Sequence, residues 1–111
     1  MLAQIFPAAL VMNAFKEVDI LLSKLRSDHG VAVGDRLEPY GFFLRRMLRD
    51  APNRDLVLTL YSQLQRTRNR AVHEESTITS AEALAFQGLC EQLIENIKAA
   101  IPSATADTKR E

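Results

Sequence analysis

Arg68, Asn69 and His73 have side chains suited to holding an anion and moving a proton at one place. A guanidinium keeps its proton at any ordinary pH and grips a phosphate or carboxylate with two parallel hydrogen bonds. An imidazole, with an ordinary pKa of about 6.5, gives or takes a proton near neutrality. Asn69 and His73 stand four residues apart, so on a helix they share a face, and the amide is placed to fix the imidazole or the anion. Arg68 follows Leu64 by four residues, and Leu64 centres an apolar stripe. The spacing therefore puts Arg68 inside the stripe, where a guanidinium needs a carboxylate, a carbonyl cluster or an open groove.

Other cations surround this set. Arg66 and Arg70 form a second pair four residues apart, and Arg45, Arg46 and Arg49 lie on the preceding helix. All five are candidates for tracking nucleic-acid phosphates. The ordinary preference for cations near a helix C-terminus accounts equally for Arg66 and Arg70, and a solvated basic face accounts for the other three. Overall, 14 Lys and Arg balance 14 Asp and Glu, so the chain lacks the basic surplus of a general nucleic-acid or membrane binder. The charge is nevertheless polarised: residues 36–73 hold eight arginines against Glu38, Asp50 and Asp55.

The remaining composition narrows the class. Apolar residues make up 47% and charged residues 25%, as in soluble globular chains. One cysteine, Cys90, excludes an internal disulfide, and with His29 and His73 far apart it forms no zinc spacing. The expectation is a reducing, cytoplasmic compartment with no metal or cofactor. The most apolar stretch, Leu2 to Phe15, contains Gln4, Pro7 and Asn13. It falls short of the roughly 18 apolar residues of a membrane span, and it lacks the basic start of a signal peptide. A free-standing domain and one excised from a larger protein both fit this pattern.

The elements that position the candidate residues follow from helical periodicity. From Pro7 to about Ser27, Val11, Ala14, Phe15, Val18, Leu21, Leu22 and Leu25 recur every three or four positions, and Asp28-His29-Gly30 supplies a stop. Residues 30–35 read as a loop, and their glycines lack the Gly-Lys-Ser/Thr ending of a phosphate-cradling loop. A second helix is expected from Arg36, or from Pro39 as a first-turn proline, to Arg49, with Tyr40, Leu44, Met47 and Leu48 inward. A third runs from about Asn53 to His73 with Val57, Leu60, Tyr61, Leu64 and Ala71 on its apolar stripe. Thr79-Ser80-Ala81-Glu82 has the capping-box pattern and opens a fourth, which presents Ala83, Phe86, Cys90, Leu93, Ile94, Ile97 and Ile101. No strand alternation or internal repeat is present, so the expected fold class is all-α, a four-helix up-and-down bundle. Its core should hold Val18, Leu22, Leu44, Leu64, Phe86, Leu93 and Ile97.

Arg68-Asn69-Arg70-Ala71-Val72-His73 resembles the motif of the HEPN superfamily: an arginine, often followed by asparagine, then a histidine after four to six residues, near the end of the third of four helices. Pro7-Ala8-Ala9-Leu10 through Ala14-Phe15-Lys16-Glu17-Val18-Asp19 is similar to the first helix of the uncharacterised bacterial HEPN-like group, and Ile78 to Leu84 resembles the entry to its last helix. The resemblance implies a HEPN-like domain over residues 1–102, followed by a disordered C-terminal tail at 103–111. It also implies RNA or a nucleotide as ligand, a homodimer, and an antitoxin or a parent protein as further partner. Many members are metal-independent endoribonucleases of toxin or defence type, and others are non-catalytic.

The two activities use the same residues differently. RNA cleavage by the substrate's own 2′-hydroxyl needs a proton acceptor, a proton donor and a cation at the phosphorane. Arg68 and His73 suit those tasks, and a two-fold dimer with the third helices facing each other doubles the set. In an adaptor or dimerisation module, Arg68 would instead pair with Asp19 or Glu17 of the first helix, and His73 would cap its own helix. A DNA-reading helix-turn-helix fits less well, because the basic end lies at the helix C-terminus.

Overall fold

Proline at the first helical position, with no N–H to lose, opens α1 (Pro7–His29) in the computed structural model, which describes residues 6–101. Val11, Val18, Leu22 and Leu25 form its buried stripe. The helix stops at Gly30, whose N–H donates to the Arg26 carbonyl at 2.8 Å. A Cβ at this position would lie 2.5 Å from that carbonyl oxygen, so the approach requires glycine.

The next segment departs from expectation. Residues 31–38 form a small antiparallel hairpin in which β1 (Ala32–Val33) pairs with β2 (Arg36–Leu37), Ala32 opposite Leu37 and Val33 opposite Arg36. Gly34 takes φ +67 while Asp35 does not have a positive φ, the pattern of a type II′ turn, which matches strand twist. Strands of two residues are too short to show alternation, which is why the sequence reads as loop there. Arg36 therefore belongs to β2, and Pro39 is the N-cap of α2 (Tyr40–Met47), a helix shorter at both ends than expected. Phe43 and Leu44, together with Leu48 just beyond, are fully buried, while Tyr40 and Met47 pack at the edge of the core.

Helix α3 (Arg54–His73) buries Val57, Leu60, Tyr61, Leu64 and Ala71, the stripe expected of it. After a 3-10 turn at Glu75–Thr77, α4 (Ser80–Ala100) starts at Thr79, whose side chain accepts a hydrogen bond from the Glu82 N–H at 3.0 Å. That is half of a capping box; the Glu82 carboxylate turns elsewhere.

Helices α1, α3 and α4 pack against one another, and α2 rests on α3 and α1. The described residues thus form an all-α, four-helix bundle with one minimal ribbon. All seven side chains expected in the core are buried, and Phe43 joins them as the bulkiest fully enclosed one. Cys90 is buried, and loss of hydration pushes its thiol up to about 12. No helix of the described residues is long and apolar enough to cross a membrane. The tail expected at 103–111 lies outside the described residues.

Candidate functional site

The end of α3 is tied down by Arg70, whose two terminal guanidinium nitrogens are both engaged. Arg70 donates to both Glu82 carboxylate oxygens, at 2.6 and 3.2 Å, and to the carbonyl and hydroxyl of Thr77, at 3.1 and 3.2 Å. One guanidinium thereby ties the last turn of α3 to the 3-10 turn and to the first turn of α4. Its hydrogen bonds hold the Glu82 carboxyl below its ordinary range, and Glu82 in turn raises Arg70. The Glu82 side chain does not complete the capping box because Arg70 takes it.

On this anchored helix end, Arg68, Asn69 and His73 are all exposed. The expectation of a guanidinium inside the buried stripe is corrected: stripe position fixes where the Cα sits, but a long side chain carries its charge outward. Among the described residues Arg68 makes no ion pair, and its one hydrogen bond runs from Nη1 to the Asn69 side-chain oxygen at 3.5 Å. Asp19 and Glu17 are exposed on α1, and neither pairs with Arg68. Asp19 does share a groove with it. On an ideal helix Asn69 and His73 lie about 40° apart, Arg68 about 100° from Asn69, and Arg68 about 140° from His73. A single chain therefore spreads the three Cα positions around the helix, and the side-chain contact seen among them is that of the Arg68 guanidinium with the Asn69 amide oxygen.

The groove that takes Arg68 lies along α1. It is an open groove of about 790 Å³ lined by Phe6, Leu10, Met12 and Phe15, with Asn13, Lys16, Asp19 and Arg68 supplying the polar groups. Phe6 is 55% and Met12 44% exposed. Phe15 is braced from the core side by Phe86, ring centroids 6.4 Å apart. Periodicity puts Val11, Ala14 and Phe15 of this run on the core-facing stripe and names neither Phe6 nor Met12. The signal that separates the two roles is surplus: apolar residues at Phe6 and Met12 stand outside the stripe that Val11, Val18 and Leu22 define.

The five outlying arginines divide. Arg46, like Arg70, has a carboxylate: it donates through Nη2 at 2.5 Å and Nε at 3.4 Å to Glu38, and through Nη2 to the His29 carbonyl at 2.7 Å. Glu38 is the only buried charged or polar residue among those described. It also accepts from the Val31 N–H at 3.1 Å, while its carbonyl receives Arg26, whose guanidinium sits 4.2 Å over the Tyr40 ring. Hydrogen bonding from Arg46 outweighs burial and holds the Glu38 carboxyl below its ordinary range. This lock between hairpin, α1 and α2 went unread because its partners meet only through the fold. Arg45, Arg49 and Arg66 are exposed and make no ion pair among the described residues.

Burial, above all, raises the Tyr61 phenol on the stripe beneath this end of the bundle. Among the described residues no cluster of three His, Cys, Asp or Glu side chains is placed to hold a metal ion. No protein-family model, curated protein or solved structure matches the chain.

Proposed function

We propose that this chain is a HEPN-like module that binds RNA or a nucleotide at the end of α3, and that the site acts as a metal-independent endoribonuclease of toxin or defence type. The observation that carries the reading is the state of Arg68: exposed, on a groove, without a carboxylate, on a helix end held rigid by a different arginine. A cation in that state is available to an anionic ligand from outside. Arg68 binds the phosphate and stabilises the charge that builds on it, His73 carries a proton to or from the 2′-hydroxyl or the leaving oxygen, and Asn69 orients the imidazole. Because Arg68 and His73 diverge around α3, a second copy with its α3 across a two-fold axis supplies the complementary cation and proton carrier. Such a dimer acts in the cytoplasm, where an antitoxin or a parent protein would restrain it.

The adaptor reading requires Arg68 to be spent on Asp19 or Glu17, and the absence of either ion pair weighs against it. The test is incubation of purified protein with mixed RNA in EDTA, beside His73→Ala. Cleavage by the parent chain and none by the variant supports the reading. Equal cleavage by both, or none by either, overturns the nuclease assignment.

A further inference from the structure

We propose that the α1 groove is a base-binding subsite: an unstacked nucleobase lies against Phe6 and Met12 while its phosphate is held by Arg68 and Lys16. The inference rests on the RNA-binding reading and adds to it a place for the base.

The groove has the size of a small-molecule site, which typically spans roughly 300–1,000 Å³, and its 790 Å³ is walled by apolar side chains on one element. An apolar wall alone would suit any greasy partner. The charges decide between occupants. Arg68 and Lys16 both line the groove, and neither has a carboxylate partner among the described residues. A purely apolar occupant would desolvate two cations against the single carboxylate of Asp19, leaving one positive charge uncompensated, which is costly. An occupant with a flat apolar face and an attached anion satisfies both walls at once, and a nucleotide is that combination. Base stacking on an exposed aromatic beside a basic track is the general way single strands are held. Phe6 offers the exposed ring, and Phe15, braced by Phe86, gives a wall that does not collapse when the groove fills. Asn13 presents an amide donor and acceptor to a base edge, the complement of adenine's paired acceptor and donor. Asp19 is placed to accept from a sugar hydroxyl or an exocyclic amine.

Two fluorescein-labelled probes test this: a 2′-O-methyl hexa-adenylate, which its own sugar cannot cleave, and an abasic strand of equal length and charge. Phe6→Ala should weaken the adenylate by roughly 5- to 150-fold, the worth of one base–aromatic stack, and leave the abasic strand unchanged. Phe6→Tyr should retain the parent affinity, and Lys16→Ala and Arg68→Ala should weaken both probes in step. The chain contains no tryptophan, so the indole introduced by Phe6→Trp gives a second readout, quenched by the adenylate and not by the abasic strand. If Arg68→Ala weakens binding but Phe6→Ala and the indole are indifferent to the base, the subsite is wrong and the RNA reading stands. If the parent chain binds neither probe, the RNA reading itself falls. If Phe6→Ala abolishes self-association in sedimentation while both probes bind alike, the groove is a contact between copies and the proposal is overturned.

Discussion

Replacing Arg68 with alanine removes an exposed guanidinium whose one hydrogen bond among the described residues, to Asn69, is 3.5 Å long. The stability terms are small and of both signs. Loss of a cation near the C-terminal end of α3 costs at most about 0.3–1 kcal/mol, and less for a residue more than a turn from the end. Alanine's better helix propensity returns a few tenths. The net change should fall within about 0.5 kcal/mol, the usual span for a surface site, or about 2–4 °C in Tm for a domain of this size. Were Arg68 one half of a buried ion pair, the same substitution would cost on the order of 3–5 kcal/mol. Urea denaturation followed by circular dichroism separates these outcomes, and RNA cleavage in EDTA on the same preparations reads the function. The expected result for Arg68→Ala, and separately for His73→Ala, is an unchanged transition with cleavage lost. Arg68→Lys should restore activity only in part, since an ammonium lacks the planar two-point grip. A large fall in stability refutes the reading of Arg68 as free, and unchanged stability with unchanged cleavage refutes its role in the site.

Three further outcomes follow from the packing and the charges. Leu64→Ala, one turn before Arg68 but 1% exposed, should cost about 2–5 kcal/mol in the same urea titration. The Glu38 carboxyl is held below its ordinary value of 4.5, so its contribution is present above that pH and lost as pH falls through the lowered folded value. Acid unfolding monitored below pH 4.5 should therefore lose part of its slope in Glu38→Gln, which will also be less stable at neutral pH; an unaltered acid profile counts against the lock. Cys90, buried and pushed up to about 12, should not react with a thiol reagent at pH 8 until denaturant unfolds the bundle, and rapid native labelling would contradict its placement.

Periodicity carries information about buried faces and little else, and the pattern of agreement here follows from that. The α3 stripe was legible residue by residue because Val57, Leu60, Tyr61, Leu64 and Ala71 repeat at the helical interval over about four turns. The hairpin was not, because Ala32–Val33 and Arg36–Leu37 are too short to establish any period. Arg46 and Arg70 looked like the exposed Arg45, Arg49 and Arg66, since a carboxylate partner eight or twelve positions away leaves no local trace. For Arg68, a helical wheel gives the direction of the Cα–Cβ bond and not the reach of a side chain several bonds longer. Met12 and Phe6 escape periodicity for the opposite reason: their hydrophobicity is visible, and its surplus over what the core can hold is not.

The clasp between Arg70 and Glu82 also bears on the order in which the chain assembles. It joins positions twelve residues apart across a tight turn, whereas the α1–α4 seam joins helices whose midpoints lie about 70–75 residues apart in sequence. Closing that longer loop, about 75 residues, costs roughly 1.6 kcal/mol more in chain entropy than closing the short one. The α3–α4 hairpin is accordingly the part of the molecule that can assemble first with least help, with α1 docking onto a preformed surface. Substitutions at Arg70 should then slow refolding, while those at Val18 should chiefly speed unfolding.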